Sequence, residues 1–263
     1  MDDARATFRE LHVEGLFVMP NPWDVGSARL LESMGFPALA TTSAGHAATL
    51  GRLDQHVTRE ELLVHAAAIA TSVDVPVNVD AERCFADDAE GVAETVRLLG
   101  RTGVAGCSIE DYEPTSRSID PIEVATARVA AAAEAAREEG LVLTARAENH
   151  FYGLGDLDDT IARLRAYREA GADVLYAPRL VDLDAIVRLV REVDGPVNVL
   201  ARAEGPSIPE LASVGVRRVS TGGALALAAY GALMRAAREL LDSGTSTYMS
   251  GAVPADDLER AFS

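Results

Sequence analysis

The sequence predicts an α/β fold, a (β/α)8 barrel of the TIM type with an N-terminal helix and a C-terminal helical extension. Short β-branched runs alternate with longer runs rich in Ala, Arg, Glu and Leu, and eight such units fit into about 240 residues. The strand-like runs are apolar on both faces, which is typical of buried parallel strands. Residues 75–79 and 195–199 read Val-Pro-Val-Asn-Val and Gly-Pro-Val-Asn-Val, which indicates an echo of a repeated βα unit.

The elements are predicted in chain order from these runs and from the residues that end them. Asp24 is well placed to cap the helix that follows it. Glycines that stand just before strands are expected to end helices: Gly35, Gly103, Gly140, Gly171, Gly195 and Gly215. The predicted strands are residues 16–19, 38–42, 75–80, 104–110, 141–147, 174–177, 197–200 and 216–220. The predicted helices are residues 2–13, 23–34, 58–72, 87–101, 121–139, 157–170, 183–192, 208–214 and 224–241.

Residues 1–263 are expected to form a single barrel domain, because no low-complexity linker divides the chain. Residues 242–263 are expected to be a C-terminal extension that contacts other subunits. A doubly wound open sheet is the rival fold. It is disfavoured because no glycine-rich dinucleotide fingerprint follows the first strand.

Composition excludes several classes of function. The net charge of −17 makes nucleic acid and anionic membranes poor partners. All 24 basic residues are Arg, so chemistry that needs a lysine amine is excluded. The acidic, polar N-terminus is unlike a signal peptide, and Cys84 and Cys107 are too few for a disulfide framework. A cytoplasmic protein in a reducing compartment is therefore expected.

Acidic residues follow three neighbouring predicted strands, where a barrel places its catalytic groups. They are Asp80 and Glu82, Glu110 and Asp111, and Glu148. Carboxylates this close together repel unless a cation neutralises them, and a hard divalent ion with oxygen ligands is the simplest answer. We expect Asp80 to bind Mg²⁺ directly, with Mn²⁺ as an alternative ion, and Glu82 and Glu110 to hold metal-bound waters.

Arg146 ends the fifth strand and supplies a planar fork for a substrate carboxylate or phosphonate. Asn198, at the end of the seventh strand, is a further candidate for substrate binding. The alternative is that each acid merely caps the following helix. Helix capping readily explains one acid at a strand end, but it explains acids at three consecutive strand ends less well. Cys107, inside a strand, is expected to be a small buried residue, whereas Cys84 lies on the loop after Glu82.

These strand ends resemble the isocitrate lyase / phosphoenolpyruvate mutase family over about residues 12–240. Each motif alone is weak, but their order is specific. The motifs are Asn21-Pro22-Trp23-Asp24, Thr42-Ser43-Ala44-Gly45, Leu50-Gly51-Arg52-Leu53-Asp54, Asp80-Ala81-Glu82, Gly103 through Asp111 (GVAGCSIED), Ala145-Arg146-Ala147-Glu148 and Ala170-Gly171-Ala172-Asp173.

The resemblance implies a Mg²⁺ held by Asp80, with Glu82 and Glu110 in its water shell. It implies that the Thr42 hydroxyl and the amides near Ser43 and Ala44 bind the carboxylate and oxo group of an α-oxo acid. Arg146 would hold the far end of the substrate, and Asp54 would lie on a mobile element that closes over the site. It also implies a homo-oligomer, a dimer of dimers that exchanges C-terminal helices.

The segment 112–120 departs from the family pattern. The C–C lyases of the family carry a K-[KR]-C-G-H loop here, whereas this chain has Tyr-Glu-Pro-Thr-Ser-Arg-Ser-Ile-Asp. Tyr112 replaces the lysine of the mutase and the phosphonopyruvate hydrolase. Tyr112, Ser116 and Arg117 remain candidates for the acid or base that the loop would supply.

The predicted function is a Mg²⁺-dependent lyase that cleaves or forms a C–C bond next to an α-oxo or 2-hydroxy carboxylate through an enolate-type intermediate. Its catalytic candidates are Arg146, Glu110, Asp54 and Tyr112. Three alternatives stay open. They are a P–C bond enzyme acting on phosphonopyruvate, a barrel that binds an oxo acid without turnover, and a metal-independent structural relative.

Overall fold

The computed structural model describes residues 2–263 and confirms the predicted barrel. The barrel has eight parallel strands: Phe17–Met19 (β1), Leu39–Ala40 (β2), Val77–Asp80 (β3), Gly106–Glu110 (β4), Val142–Arg146 (β7), Val174–Tyr176 (β8), Val197–Leu200 (β9) and Arg218–Ser220 (β10). They pair in the order β1-β10-β9-β8-β7-β4-β3-β2. Two further strands, Tyr112–Glu113 (β5) and Ser118–Ile119 (β6), form a small antiparallel hairpin.

The helices cover the outside of the barrel and its amino end. In chain order they are Asp2–Glu10 (α1), Val25–Ser33 (α2), Ser43–Thr49 (α3), Arg59–Ala70 (α4), Ala89–Gly100 (α5), Ile122–Glu139 (α6), Asn149–Tyr152 (α7), Leu157–Glu169 (α8), Leu183–Glu192 (α9), Ile208–Ser213 (α10), Ala224–Ser243 (α11) and Ala255–Phe262 (α12), with a 3-10 turn at Thr247–Gly251. None of the described helices is long and apolar enough to cross a membrane.

Two apolar layers hold the barrel together. The larger lies between the strands and the outer helices, and its β-branched and leucine side chains are almost fully buried. The smaller lies inside the barrel at its amino end, where Phe8 of α1 packs against Phe17, Val142 and Val174. Helix α1 therefore plugs the bottom of the barrel and leaves the carboxyl ends of the strands open.

The seam between β1 and β2 is held by few bonds. The Ala40 backbone N–H donates to the Pro20 carbonyl at 3.0 Å. The Asn21 side chain reinforces it by donating to the Thr41 carbonyl at 2.7 Å and accepting from the Thr221 and Gly222 amides at 2.8 and 2.9 Å. Asn21 thus joins the carboxyl ends of three strands.

The structure corrects several sequence expectations. Five of the six glycines predicted to end helices do adopt positive φ, but before β9 the residue with positive φ is Asp194 (φ 48°), not Gly195. The short helices α3 and α7 and the β5–β6 hairpin were not predicted. The C-terminal helix α12 packs on α2 of its own chain, where Arg29 Nη2 donates to the Ser263 carbonyl at 3.0 Å. The expected contact of residues 242–263 with other subunits stays a prediction.

Candidate active site

A cleft of about 680 Å³ opens at the carboxyl ends of the barrel strands. Seven of the residues predicted to form the site line it: Thr42, Ser43, Ala44, Asp54, Asp80, Arg146 and Asn198. Glu82 lines an adjoining cavity of about 440 Å³ together with Gln55. Glu110 is buried beside Arg146, and Tyr112 is not part of the lining.

Strand register explains why the charged groups meet. Glu110 pairs with Arg146 across β4 and β7, and Arg146 pairs with Tyr176 across β7 and β8. Residues in register on neighbouring parallel strands project to the same face of the sheet. The row continues through Asn198 to Arg218, so one line of polar side chains crosses the barrel interior.

Arg146 is the hub of the site. Its Nη1 donates to Asp80 Oδ1 at 2.7 Å, its Nε donates to Glu148 Oε1 at 2.8 Å, and its Nη2 lies 3.1 Å from Glu110 Oε2. All three nitrogens of the guanidinium therefore face carboxylates. The use of Arg146 as a fork for the substrate stays a prediction. Glu148 belongs to the same Ala145–Glu148 motif as Arg146, two residues further along the chain.

Asp80 stands between Arg146 and the start of α3. Its Oδ2 accepts hydrogen bonds from the Ser43 backbone N–H at 3.2 Å and from the Ser43 hydroxyl at 3.0 Å. Thr42 caps α3 by accepting from the Gly45 amide at 3.3 Å. The backbone amides near Ser43 and Ala44 were predicted to bind the substrate. The Ser43 amide instead donates to Asp80 in this structure.

The carboxyl groups around Asp80 are too many for one arginine. Burial, followed by the charges of Asp80 and Asp54, raises the pKa of Glu82 to about 8. Burial likewise raises the pKa of Glu110 well above its usual range, although Arg146 opposes this shift. A divalent cation bound beside these groups would favour their charged form and oppose both shifts.

These residues fit a hard divalent cation. Among residues 2–263 no three acidic, histidine or cysteine side chains form a ready-made metal cage. Mg²⁺ does not need one, because it takes one or two carboxylates and keeps several waters. The all-oxygen donors and the surplus of carboxyl groups over arginines match that chemistry.

The loop between α3 and α4 reaches over the site. Asp54 lines the cleft, and partial burial followed by the charge of Asp80 raises the pKa of its carboxyl group. The next residue, Gln55, adopts a left-handed backbone (φ 65°), and its Nε2 donates to Glu110 Oε1 at 2.9 Å. Sequence reasoning missed Gln55, and the one signal that points to it is its position directly after the Leu50–Asp54 motif.

The segment 112–120 is a hairpin set beside the cleft. The Tyr112 ring stacks on Tyr152 with centroids 3.7 Å apart and is 8% exposed. Glu113 and Asp120 form ion pairs with Arg83, which anchors both ends of the hairpin. The geometry gives Tyr112 a packing role, and its predicted catalytic role stays a prediction.

Neither cysteine is suited to act as a nucleophile. Both side chains are fully buried, and burial raises the pKa of Cys84 to about 12. Burial also raises the pKa of Cys107 well above its usual range. Cys84 therefore does not serve the site, and Cys107 is a small buried residue as predicted.

A buried network behind the site fixes Glu148. The Asp111 carboxylate accepts from the Glu148 backbone N–H at 2.8 Å, from the Tyr167 hydroxyl at 2.6 Å and from Arg163 Nη1 at 3.2 Å. This explains why the acid after Glu110 is not in the cleft. Asp111 supports the strand ends rather than the chemistry.

Comparison with known proteins agrees with this geometry. The family model described as phosphoenolpyruvate phosphomutase matches residues 8–241. An uncharacterized protein of Mycobacterium tuberculosis is 36% identical over 239 residues, which cover 90% of this chain and 89% of that protein.

Two solved structures share the fold over almost the whole chain. A Burkholderia cenocepacia J2315 protein, provisionally described as a lyase/mutase, superposes with a TM-score of 0.95 at 48% identity, covering 100% of this chain and 96% of that one. Oxaloacetate acetylhydrolase in complex with its product oxalate superposes with a TM-score of 0.88 at 26% identity, covering 99% and 94%.

Proposed function

Because this chain belongs to the phosphoenolpyruvate phosphomutase family, within the isocitrate lyase / phosphoenolpyruvate mutase superfamily, we propose that it is a Mg²⁺-dependent lyase acting next to an α-oxo or 2-hydroxy carboxylate. The observation that carries the proposal is the group formed by Arg146 with Asp80, Glu110 and Glu148 at the floor of an open cleft. That group has the charge and the oxygen donors to hold a divalent ion beside a small anionic substrate.

Asp80 would hold the ion directly, and Glu82 and Glu110 would hold its waters. Mn²⁺ could replace Mg²⁺, because both are hard ions that take oxygen donors. A divalent ion supplies a Lewis acid that stabilises the negative charge developing on an α-oxo acid as the bond breaks. The loss of protons from Glu82 and Glu110 would accompany metal binding, because a bound cation favours the charged form and so opposes the burial that chiefly raises the pKa of each group.

The chain's own residues orient the reactants. Ser43 fixes Asp80 through its amide and hydroxyl, and Arg146 fixes the same carboxylate from the other side. The Thr42 hydroxyl lines the cleft next to the α3 N-terminus, where it can donate to a substrate oxygen. Asp54 has a raised pKa and lines the cleft, so it is better placed than Tyr112 to give a proton to the product.

Turnover with chelator controls tests this proposal. We would follow a panel of 2-oxo diacids, 2-hydroxy diacids, alkylmalates and phosphonopyruvate by proton and phosphorus NMR, with Mg²⁺ and with EDTA. If one compound is consumed only when Mg²⁺ is present, and is not consumed by Asp80→Ala, the proposal is supported. The products then identify which bond of that compound is broken. Asp87→Ala, at an exposed neighbouring acid, is the matched control and should keep activity.

The same panel separates the alternatives. Cleavage of phosphonopyruvate alone would replace the C–C proposal by P–C chemistry. Chelator-sensitive shifts of an oxo acid without turnover would favour a binding protein. Oxalate would be added to the panel as a binding probe. If the protein binds oxalate equally well with EDTA, and if Asp80→Ala binds it as well as the wild type does, the metal site itself is contradicted.

The proposal extends to assembly and location. On α11 only Ala226 is buried, whereas Leu227, Leu233, Met234 and Leu241 are more than half exposed. Such an apolar face fits contact with further copies of the chain, as in a dimer of dimers. Light scattering after gel filtration would show a single 27.8 kDa species if this is wrong. The two free, buried cysteines fit a cytoplasmic protein.

A further inference from the structure

One buried arginine in the cleft has no negative partner. Arg146 faces three carboxylates, and Arg202 pairs with Glu204 at 3.1 Å. Arg179 is exposed at the mouth, so water solvates its charge. Arg218 is 2% exposed, and no described carboxylate lies within ion-pair distance of it.

The surroundings of Arg218 are polar but uncharged. Its Nε donates to Asn198 Oδ1 at 2.9 Å and its Nη2 donates to Thr144 Oγ1 at 2.9 Å. Its Nη1 lies 3.3 Å from His12 Nε2. Burial and the charge of Arg218 lower the pKa of His12 to about 3, so His12 is a neutral acceptor at physiological pH.

Arg218 therefore has unused donors and an uncompensated charge. A guanidinium carries five N–H bonds, and the structure gives three of them a partner. Burial lowers the pKa of Arg218 to about 9, which expresses the cost of a buried cation without a counter-ion. A small anion would remove that cost and accept the remaining N–H bonds.

The cleft reaches this arginine. Arg218 lines it together with Thr144, Asn198 and Ser220. An incomplete set of hydrogen bonds around a buried cation, in a cavity that continues to solvent, indicates that something is bound there in solution.

We propose that Arg218 is the centre of an inner anion pocket, formed with Thr144, Asn198 and Ser220, beneath the Asp80–Arg146 pair. Thr144 lies two residues before Arg146 on β7, so the pocket lies about 7 Å deeper along the strand. The ligand is a small anion, either a free ion such as chloride or one carboxylate of a diacid whose other end lies at Asp80. Only the diacid case rests on the proposed function.

Thermal unfolding of the chelated protein tests the pocket apart from catalysis. With EDTA and constant ionic strength, we would compare chloride and malonate with gluconate, a longer and bulkier anion that serves as the reference salt. A ligand that binds only the folded state raises Tm with its concentration. We expect this rise in the wild type and its loss in Arg218→Met.

Arg217→Met is the matched control. Arg217 is the preceding residue, lies outside the cleft and donates to the Gly15 carbonyl at 3.2 Å, so its substitution should keep the anion effect. If Arg218→Met fails to fold, Thr144→Val keeps the charge and the side-chain volume but removes the hydroxyl that would donate to the anion, and should weaken the anion effect at least threefold. Equal Tm in all three salts for the wild type would overturn the proposal.

Bromide locates the ion and identifies its source. A crystal grown in bromide should show an anomalous peak within hydrogen-bond distance of the Arg218 guanidinium, and no peak there would overturn the free-ion form. If malonate but not chloride raises Tm, the ligand is a carboxylate, and Arg218→Met should raise the KM for a diacid at least tenfold. Loss of Mg²⁺-dependent turnover with an intact anion effect would contradict the proposed function alone.

Discussion

The side-chain amide of Gln55 donates to Oε1 of Glu110 across 2.9 Å, joining an exposed loop to a carboxyl group buried in the barrel. This bond holds the α3–α4 loop over the site and brings Asp54 to the cleft. The loop therefore closes on the same carboxylate that is proposed to hold a metal-bound water.

Gln55→Leu should loosen this loop. A hydrogen bond to a charged or strongly polar group contributes about 1.5–3 kcal/mol, so amides of residues 50–57 should exchange about tenfold faster or more. Hydrogen exchange followed by mass spectrometry checks this. Leu53→Ala, at a side chain that is 79% exposed on the same loop, should leave exchange unchanged. Equal protection in both variants would contradict the closure.

Arg146→Met should destabilise the protein in a pH-dependent way. It leaves Asp80, Glu110 and Glu148 without their shared cation, and breaking a buried ion pair from one side costs about 3–5 kcal/mol. Acid restores part of this loss, because protonated carboxyl groups do not repel. Urea unfolding at pH 8 and pH 5.5 should show the larger loss at pH 8, and an equal loss at both would argue against repulsion as the cause.

His46 and His65 should make the fold sensitive to acid. Their buried rings stack with centroids 3.8 Å apart. Burial, followed by the charge of His46, lowers the pKa of His65 to about 4, and the charge of Asp24 opposes this shift. Burial also lowers the pKa of His46. The charge of Glu61 opposes that shift, and the charge of Arg52 adds to it. The unfolded chain then binds more protons, so stability is complete above pH 6.5 and falls towards pH 4.

His65→Phe measures that contribution. A phenyl ring keeps the stack but does not titrate, so the slope of unfolding free energy between pH 6.5 and 4 should shrink by up to about 1.4 kcal/mol per pH unit. His56→Phe, at an exposed loop residue, should keep the wild-type slope. Identical slopes for the two variants would refute the linkage.

Asn21→Ala should weaken the barrel at its seam. The substitution removes the acceptor of the Thr221 and Gly222 amides and the donor to the Thr41 carbonyl. Unsatisfied buried amides cost about 1–3 kcal/mol, so we expect the free energy of unfolding to fall by about 2–3 kcal/mol in a urea titration. A change below 0.5 kcal/mol, on the order seen at surface sites, would show that water replaces the side chain.

The strand ends could be predicted because a parallel barrel brings them together whatever the details of packing. Asp80, Glu110 and Arg146 each end a clear apolar run, and register places Glu110 beside Arg146. Asp80 is in register with Ser108 and meets Arg146 through its side chain. Gln55 could not be predicted in the same way. Its position depends on a left-handed backbone in a loop without hydrophobic periodicity.

The hairpin at residues 112–119 was missed for a related reason. Its strands have two residues each, too few for a β pattern, and ion pairs from Arg83 hold it instead. Before β9 the left-handed backbone falls on Asp194, although Gly195 follows it directly. A prediction that assigns this backbone conformation to the glycine is therefore wrong by one residue. Arg218 was read only as part of a strand, since nothing in the sequence shows that its charge is unpaired.

The seam between β1 and β2 is the one place in the described part of the chain where neighbouring barrel strands do not form a paired ladder. Local opening of the barrel should therefore cost least there, because fewer backbone hydrogen bonds must break. Thr41 and Thr42 follow β2 directly and lead into α3, so each small opening at Ala40 would tilt Ser43 relative to Asp80. Motion on one side of the barrel is thereby coupled to the geometry in which a substrate is received.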